Sequence, residues 1–154
     1  MKIVKKKGIW FFGLSGSGKT YASKIIEKMR KNSIIIDGDD VRKLISFDLG
    51  YGIEDRKIQI RRMLGIAKIV LKSNLFPVIS TVYMDKYVAK NLKKNNIKLI
   101  EVSRDLKKIM KWHKTYKNKK NVVGRDIIIN KIESKKIYNS GEVDFCKKIE
   151  KLIR

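Results

Sequence analysis

Gly13-Leu14-Ser15-Gly16-Ser17-Gly18-Lys19-Thr20 decides how the rest of this 154-residue chain is read. The segment matches the spacing G-x-x-x-x-G-K-[ST], and each position has a chemical reason. Glycines let the backbone turn tightly, so that successive N–H groups converge on phosphate oxygens. A helix opening at the end of the loop adds the partial positive charge of its N-terminus. Lys19 would reach the β- and γ-phosphates, and Thr20 would offer its hydroxyl to Mg²⁺. At ordinary glycine usage, four specified positions recur by accident in roughly one chain of this length in 200. The flanks argue further against accident. Residues 9–12 form a wholly apolar run, the pattern of a buried strand. Ala22, Ile25, Ile26 and Met29 then follow at helical spacing across 20–30. Gly13, Ser15, Gly16, Ser17, Gly18, Lys19 and Thr20 are therefore the candidate ATP-binding residues. Thr20 is also the candidate metal ligand, and Lys19 a candidate catalytic residue.

The remaining sequence alternates two periodicities. Short apolar runs at 33–36, 77–80 and 98–102 read as buried strands, with a weaker fifth at 137–138. Helical spacing recurs over 54–72, where Ile60, Met63, Leu64, Ala67, Val70 and Leu71 share a face, and over 87–94, 106–112 and 140–153. Strands alternating with helices predict an α/β chain of the P-loop NTPase three-layer type: a central parallel sheet of about five strands with helices on both faces. Ligands of such sheets lie beyond the carboxyl ends of the strands. One proline, no linker and no internal repeat predict a single domain over 1–154.

Composition narrows the function classes. The formal charge is +23, which first suggests nucleic acid. Yet 30 of the 38 basic residues are Lys, spread over most of the chain without an aromatic RNA-binding motif. A solvated Lys surface explains them better, so nucleic acid is not the expected partner. A basic nucleic-acid-binding P-loop protein stays as the alternative of another class. The field still draws small anions toward any cleft. The apolar stretch at 9–14 is too short for a secretory h-region, and no run approaches a membrane span, so the cytoplasm is the expected location. Cys146 is the only cysteine, which excludes an internal disulfide and a thiolate metal cluster.

Asp37-Gly38-Asp39-Asp40 follows the second strand. Asp40 fits as the cap of a helix over 41–45. Capping does not account for three carboxylates placed together, whereas Mg²⁺ or a general base would, which makes Asp37 and Asp39 catalytic candidates. Arg42 comes next. Arg56 and Gln59 are one turn apart on the following helix, and Arg61 and Arg62 succeed them. Four of the eight arginines thus fall within 42–62. A planar guanidinium grips phosphate or sulfate with two parallel bonds, so an anionic acceptor is expected here. His113, the one histidine, reads as a lid or surface residue before it reads as a catalyst.

With these motifs in order, the sequence resembles the adenylylsulfate (APS) kinases. The resemblance rests on the 13–20 loop, Asp-Gly-Asp-x-Val-Arg at 37–42, Asp-Leu-Gly at 48–50 and Glu-Asp-Arg-x-x-x-Ile-Arg-Arg at 54–62. It is dense over 8–70 and thinner beyond. It implies ATP and Mg²⁺ and phosphorylation of a nucleotide's ribose 3′-hydroxyl. Asp39 would orient that hydroxyl and act as base, with Asp37 in support. Arg42 and Arg56 would hold the phosphosulfate, and Tyr51 would stack on the base. Gln59 and Val122 complete the implied acceptor site, under a mobile basic lid around 111–126 that includes Tyr116. A homodimer is compatible with this reading.

The departures fall in the acceptor half. Gln59 stands where the family has Asn, and Asn121-Val122-Val123-Gly124 where it has Asn-Phe-Thr-Gly. The family's Ile-Ser-Pro segment is missing at 81–85, and Trp112-His113 replaces a usual Arg-Asp. Losing the Phe removes one side of an aromatic sandwich, a contact worth about 1–3 kcal/mol per base. Such changes also suit relatives that resemble APS kinases but phosphorylate cytidine diphosphoramidate in capsule modification.

Overall fold

The computed structural model describes residues 6–128 and 131–153. Strand β1 (Gly8–Phe12) is buried at every position. It lies at the centre of a five-stranded sheet of order β2-β3-β1-β4-β5, whose other members are β2 (Ser33–Asp37), β3 (Phe76–Thr81), β4 (Ile97–Ser103) and β5 (Lys135–Tyr138). Every pairing is parallel. The strand reads as one apolar run because both of its faces are covered. Trp10 and Phe12 pack into one core with Ile60, Met63 and Leu64 of α3 (Ile53–Lys72) and with Val88 and Leu92 of α4 (Lys86–Lys94). Ile9 and Phe11 face the other core, with Ala22 and Ile26 of α1 (Lys19–Met29) and with Phe145 and Ile149 of a carboxyl-terminal helix at Glu142–Glu150. These two cores make the three layers expected.

Four elements depart from the sequence reading. The second strand runs on to Asp37, and α2 (Gly38–Leu44) begins at once. Its cap is Asp37, whose carboxylate accepts the Asp39 N–H at 2.9 Å, so Asp40 is not the cap. Strand β5 is longer than its apolar pair suggested, because it is an edge strand that buries only Ile137. Beyond α5 (Leu106–Trp112), an additional short helix, α6 (Thr115–Asn118), precedes the carboxyl-terminal helix α7 (Glu142–Glu150). Among the described residues, no helix is long and apolar enough to cross a membrane.

After β1 the chain crosses to β2 and returns through β3, then passes to β4 on the far side of β1. The sheet therefore has its switch point at the carboxyl ends of β1 and β3, where such sheets bind ligands.

Candidate active site

The 13–20 loop leaves β1 at that switch point. Gly13 adopts φ +149°, and a Cβ there would stand 2.1 Å from the Val102 carbonyl, so the loop can pass β4 only as glycine. Gly18 precedes α1 with no side-chain cap, which leaves the first N–H groups of the helix open to an anion. Ser17 is fully buried. Its carbonyl accepts the Asn139 amide at 2.9 Å. Lys19 is 9% exposed and turns back on its own loop, donating to the Leu14 carbonyl at 2.8 Å. Burial lowers its pKa to about 8, against the opposing pull of Asp37 and Asp39.

A cavity of about 590 Å³ opens beside this loop. Of the residues singled out from sequence, it brings together Ser15, Gly16, Lys19, Asp37, Asp39, Arg42, Tyr51, Arg56, Gln59 and Val122. Gly13, Ser17, Gly18 and Thr20 lie outside its lining. The first three of these shape the loop from behind. Thr20 is exposed, with its hydroxyl donating at 3.4 Å to Asp37. Asp40 is outside the cavity as well. Arg61 stacks on Tyr87, and Arg62 forms a two-point ion pair with Asp48, so the arginine cluster contributes two guanidiniums to the cavity and not four.

The acidic turn is held from several sides. Asp37 accepts the Ser80 hydroxyl at 2.6 Å as well as the Asp39 N–H. Among the described residues the Asp39 carboxylate makes no hydrogen bond, which leaves it open to a ligand. Gln59, 4% exposed, donates to the Gly38 carbonyl at 3.1 Å and so pins the start of α2 to α3.

The two cavity arginines meet at Tyr51. The Arg42 guanidinium carbon lies 4.4 Å from the Tyr51 ring centre and that of Arg56 5.8 Å. Arg42 donates to the Gly50 carbonyl at 2.6 Å. Arg56 donates to the carbonyls of Tyr51 at 3.0 Å and Asn121 at 2.9 Å. Burial, and then the Arg42 charge, pushes the Arg56 pKa down, a strain that a bound dianion would relieve.

Residues 113–122 cross one side of the cavity. His113, Thr115, Lys119, Lys120, Asn121 and Val122 contribute to its wall. Val122 is 4% exposed, packed with Ile109 and Tyr116. The Tyr116 hydroxyl donates to the Ser15 carbonyl at 3.1 Å and so ties this segment to the phosphate loop. Arg125 staples the following turn, donating to the carbonyls of Tyr116 and Lys119 while pairing with Asp126. That pairing and the Val122 N–H lower the Asp126 pKa to about 2.

Four site residues escaped the sequence reading. Ser80 and Asn139 are single polar residues near strand ends, without a motif. Val82 and Tyr83 line the cavity from a segment recognised only for what it lacks. In the first case, a hydroxyl at the end of an apolar strand was the available signal.

A phosphate loop between β1 and α1 at the switch point of a parallel sheet defines a P-loop NTPase. The chain belongs to the adenylylsulphate kinase family, whose model matches residues 5–119. An adenylyl-sulfate kinase of Pseudomonas aeruginosa is 38% identical over 78 residues, 48% of this chain and 40% of that protein. One from Staphylococcus haemolyticus is 39% identical over 85 residues, 53% of this chain and 42% of that one. The match thus spans less than half the length of either relative. An APS kinase of Mycobacterium tuberculosis, solved in complex with AMPPNP and APS, shares the fold: TM-score 0.83 at 17% identity, covering 97% of this chain and 96% of that one.

Proposed function

We propose that the protein is an ATP-dependent kinase that transfers the γ-phosphoryl of ATP to the 3′-hydroxyl of adenylyl sulfate, giving 3′-phosphoadenylyl sulfate. One observation carries the reading: Lys19, the Asp37 and Asp39 carboxylates, and the Arg42–Tyr51–Arg56 group open on the same cavity. A phosphate grip, a base and an anion grip within one enclosure are what phosphoryl transfer to an anionic alcohol needs.

Each residue then has a task. Lys19 leaves the Leu14 carbonyl for the β- and γ-phosphates. Asp39, whose carboxylate is uncommitted, orients the acceptor hydroxyl and takes its proton. Asp37 is held by Ser80 and stands beside Thr20; this pair of oxygen donors suits Mg²⁺. Mg²⁺ held there would supply positive charge that offsets the charge of the phosphoryl groups. Arg42 and Arg56 exchange backbone carbonyls for the phosphosulfate, and Tyr51 stacks on the base.

A second reading keeps the chemistry and changes the acceptor. Val122 gives the cavity an aliphatic wall where an aromatic partner for the base would stand, which favours a smaller base such as that of cytidine diphosphoramidate. The test is ADP release from ATP and Mg²⁺ in the presence of adenylyl sulfate, cytidine diphosphoramidate or nucleic-acid ends. Turnover with adenylyl sulfate supports the first reading. Turnover only with the cytidine compound supports the second, and none above the ATPase background with any acceptor refutes both.

A further inference from the structure

His113 is the one histidine of the chain, and its ring lies against the phosphate loop. Gly16 has φ +83°, and a Cβ placed on it would come within 2.9 Å of His113 Cδ2. Here, then, glycine makes room for an imidazole as well as for a turn. The ring sits edge-on to Trp112 on one side and Tyr116 on the other, with centroids 5.4 and 6.0 Å away. It is also part of the cavity wall, together with Ser15, Gly16 and Lys19.

The ring's tautomer follows from one contact. The Thr115 N–H donates to His113 Nδ1 at 3.4 Å. A nitrogen that accepts carries no proton, so the neutral ring bears its hydrogen on Nε2 and is a donor at that edge. Cδ2 and Cγ are the ring atoms nearest Gly16, and Nε2 is bonded to Cδ2 on a ring that forms part of the cavity wall.

We propose that His113 is a phosphate-binding residue, its Nε2–H donating to the terminal phosphoryl group of the bound nucleoside triphosphate beside Lys19. The proposal rests on the reading of the 13–20 loop as an ATP site. The groups facing the ring are Lys19 from α1, Lys119 and Tyr116 from the segment that follows it, and Asp37 and Asp39 across the cavity. Burial, then Lys19 and Lys119, lower the His113 pKa, so the free protein holds it neutral at physiological pH. A triphosphate would reverse that field. Nucleotide binding should therefore take up a proton on His113, and wild-type affinity should gain as pH falls through the range where this ring titrates.

The experiment uses the full chain, without a histidine tag, labelled with ¹⁵N in its single histidine. Ring-nitrogen shifts are followed against pH in the free protein and with a non-hydrolysable ATP analogue and Mg²⁺ or with ADP and Mg²⁺. Nucleotide binding is measured separately by calorimetry. The expected results are an Nε2–H tautomer in the free protein and a midpoint that rises with the ATP analogue and rises less with ADP. His113→Ala should weaken analogue binding by about tenfold or more, the usual loss for a bond to a charged acceptor. His113→Gln, which retains an N–H donor, should recover much of it and lose the additional pH dependence. Analogue binding with no change in His113 midpoint overturns the proposal and leaves the phosphate loop intact. No analogue binding at all overturns both.

Discussion

Lys19 is placed where its charge costs stability in the free protein, and replacing it should make that protein more stable. Burial brings its pKa from the ordinary 10.5 down to about 8. At about 1.4 kcal/mol per tenfold in proton affinity, this is about 3 kcal/mol of strain in the ionised, folded form. Lys19→Met keeps the length of the side chain and removes the charge. It also removes the bond to the Leu14 carbonyl, worth about 1 kcal/mol. The net expectation is a gain of about 2 kcal/mol at neutral pH, or about 4–8 °C in Tm for a chain of this size. The sign with pH follows from proton counting. Between about pH 8 and 10.5 the unfolded chain binds the Lys19 proton and the folded chain does not, so wild-type stability rises across that window. The advantage of Lys19→Met should accordingly be full below about pH 8 and fade toward 10.5. Urea denaturation of both proteins without nucleotide, at several pH values, measures it. Saturating ATP and Mg²⁺ should then stabilise the wild type alone. Equal stability at neutral pH, or an advantage that does not change with pH, would refute a Lys19 strained by burial.

Three further outcomes are expected. Asp39→Asn should reduce acceptor-dependent turnover by about a hundredfold or more, the range of general-base contributions, while ATP affinity measured by calorimetry changes little. Gly13→Ala should cost several kcal/mol or prevent folding, because its Cβ would strike the Val102 carbonyl; Gly65→Ala, exposed on α3 with no atom within 4 Å of the new Cβ, should stabilise by about 0.5–1 kcal/mol in the same denaturation assay. Val122→Phe should lower KM for an adenylyl acceptor by about tenfold if the ring turns into the cavity to face Tyr51, with little gain for a cytidine acceptor; steady-state kinetics with both acceptors decide it.

The parts of the fold that could be read in advance are those where one local pattern has one physical solution. An uninterrupted apolar run such as 9–12 can only be covered on both faces, and glycines spaced as in 13–18 are needed where backbone must pass backbone. Long-range polar contacts have no such local mark. Tyr116 reaches Ser15 across 101 residues and Asn139 reaches Ser17 across 122, and neither residue differs in sequence from a surface Tyr or Asn. The arginine helix shows how periodicity divides what composition groups. Arg56, Gln59, Ile60 and Met63 recur at three- and four-residue steps and line the cavity together. Arg61 and Arg62 are turned away by the same 3.6-residue period and find Tyr87 and Asp48 instead. Asp40 differs from expectation for a similar reason: once the strand extends to Asp37, the helix starts three residues earlier and Asp40 faces out.

The groups around the cavity share a property that links donor and acceptor sites. In the free protein four of the cationic or donor side chains are occupied by a carbonyl of a loop that borders the cavity: Lys19 by Leu14, Arg42 by Gly50, Arg56 by Tyr51 and Asn121, and Tyr116 by Ser15. An entering anion therefore does more than meet a charge. It detaches a side chain from a loop, and that loop loses a tie. Under the proposed function, phosphate taking Lys19 would release the 13–20 loop and cancel one of the charges that lower the His113 pKa. An acceptor taking Arg56 would free Asn121 and with it the end of the segment that walls the cavity. Because Asn121 and Tyr116 lie on that same segment, filling either half of the cavity alters the footing on which the other half closes. Under the proposed function, binding of the two substrates would then be coupled through 113–122, with a sign set by whether the released segment settles more tightly over the second ligand than over none.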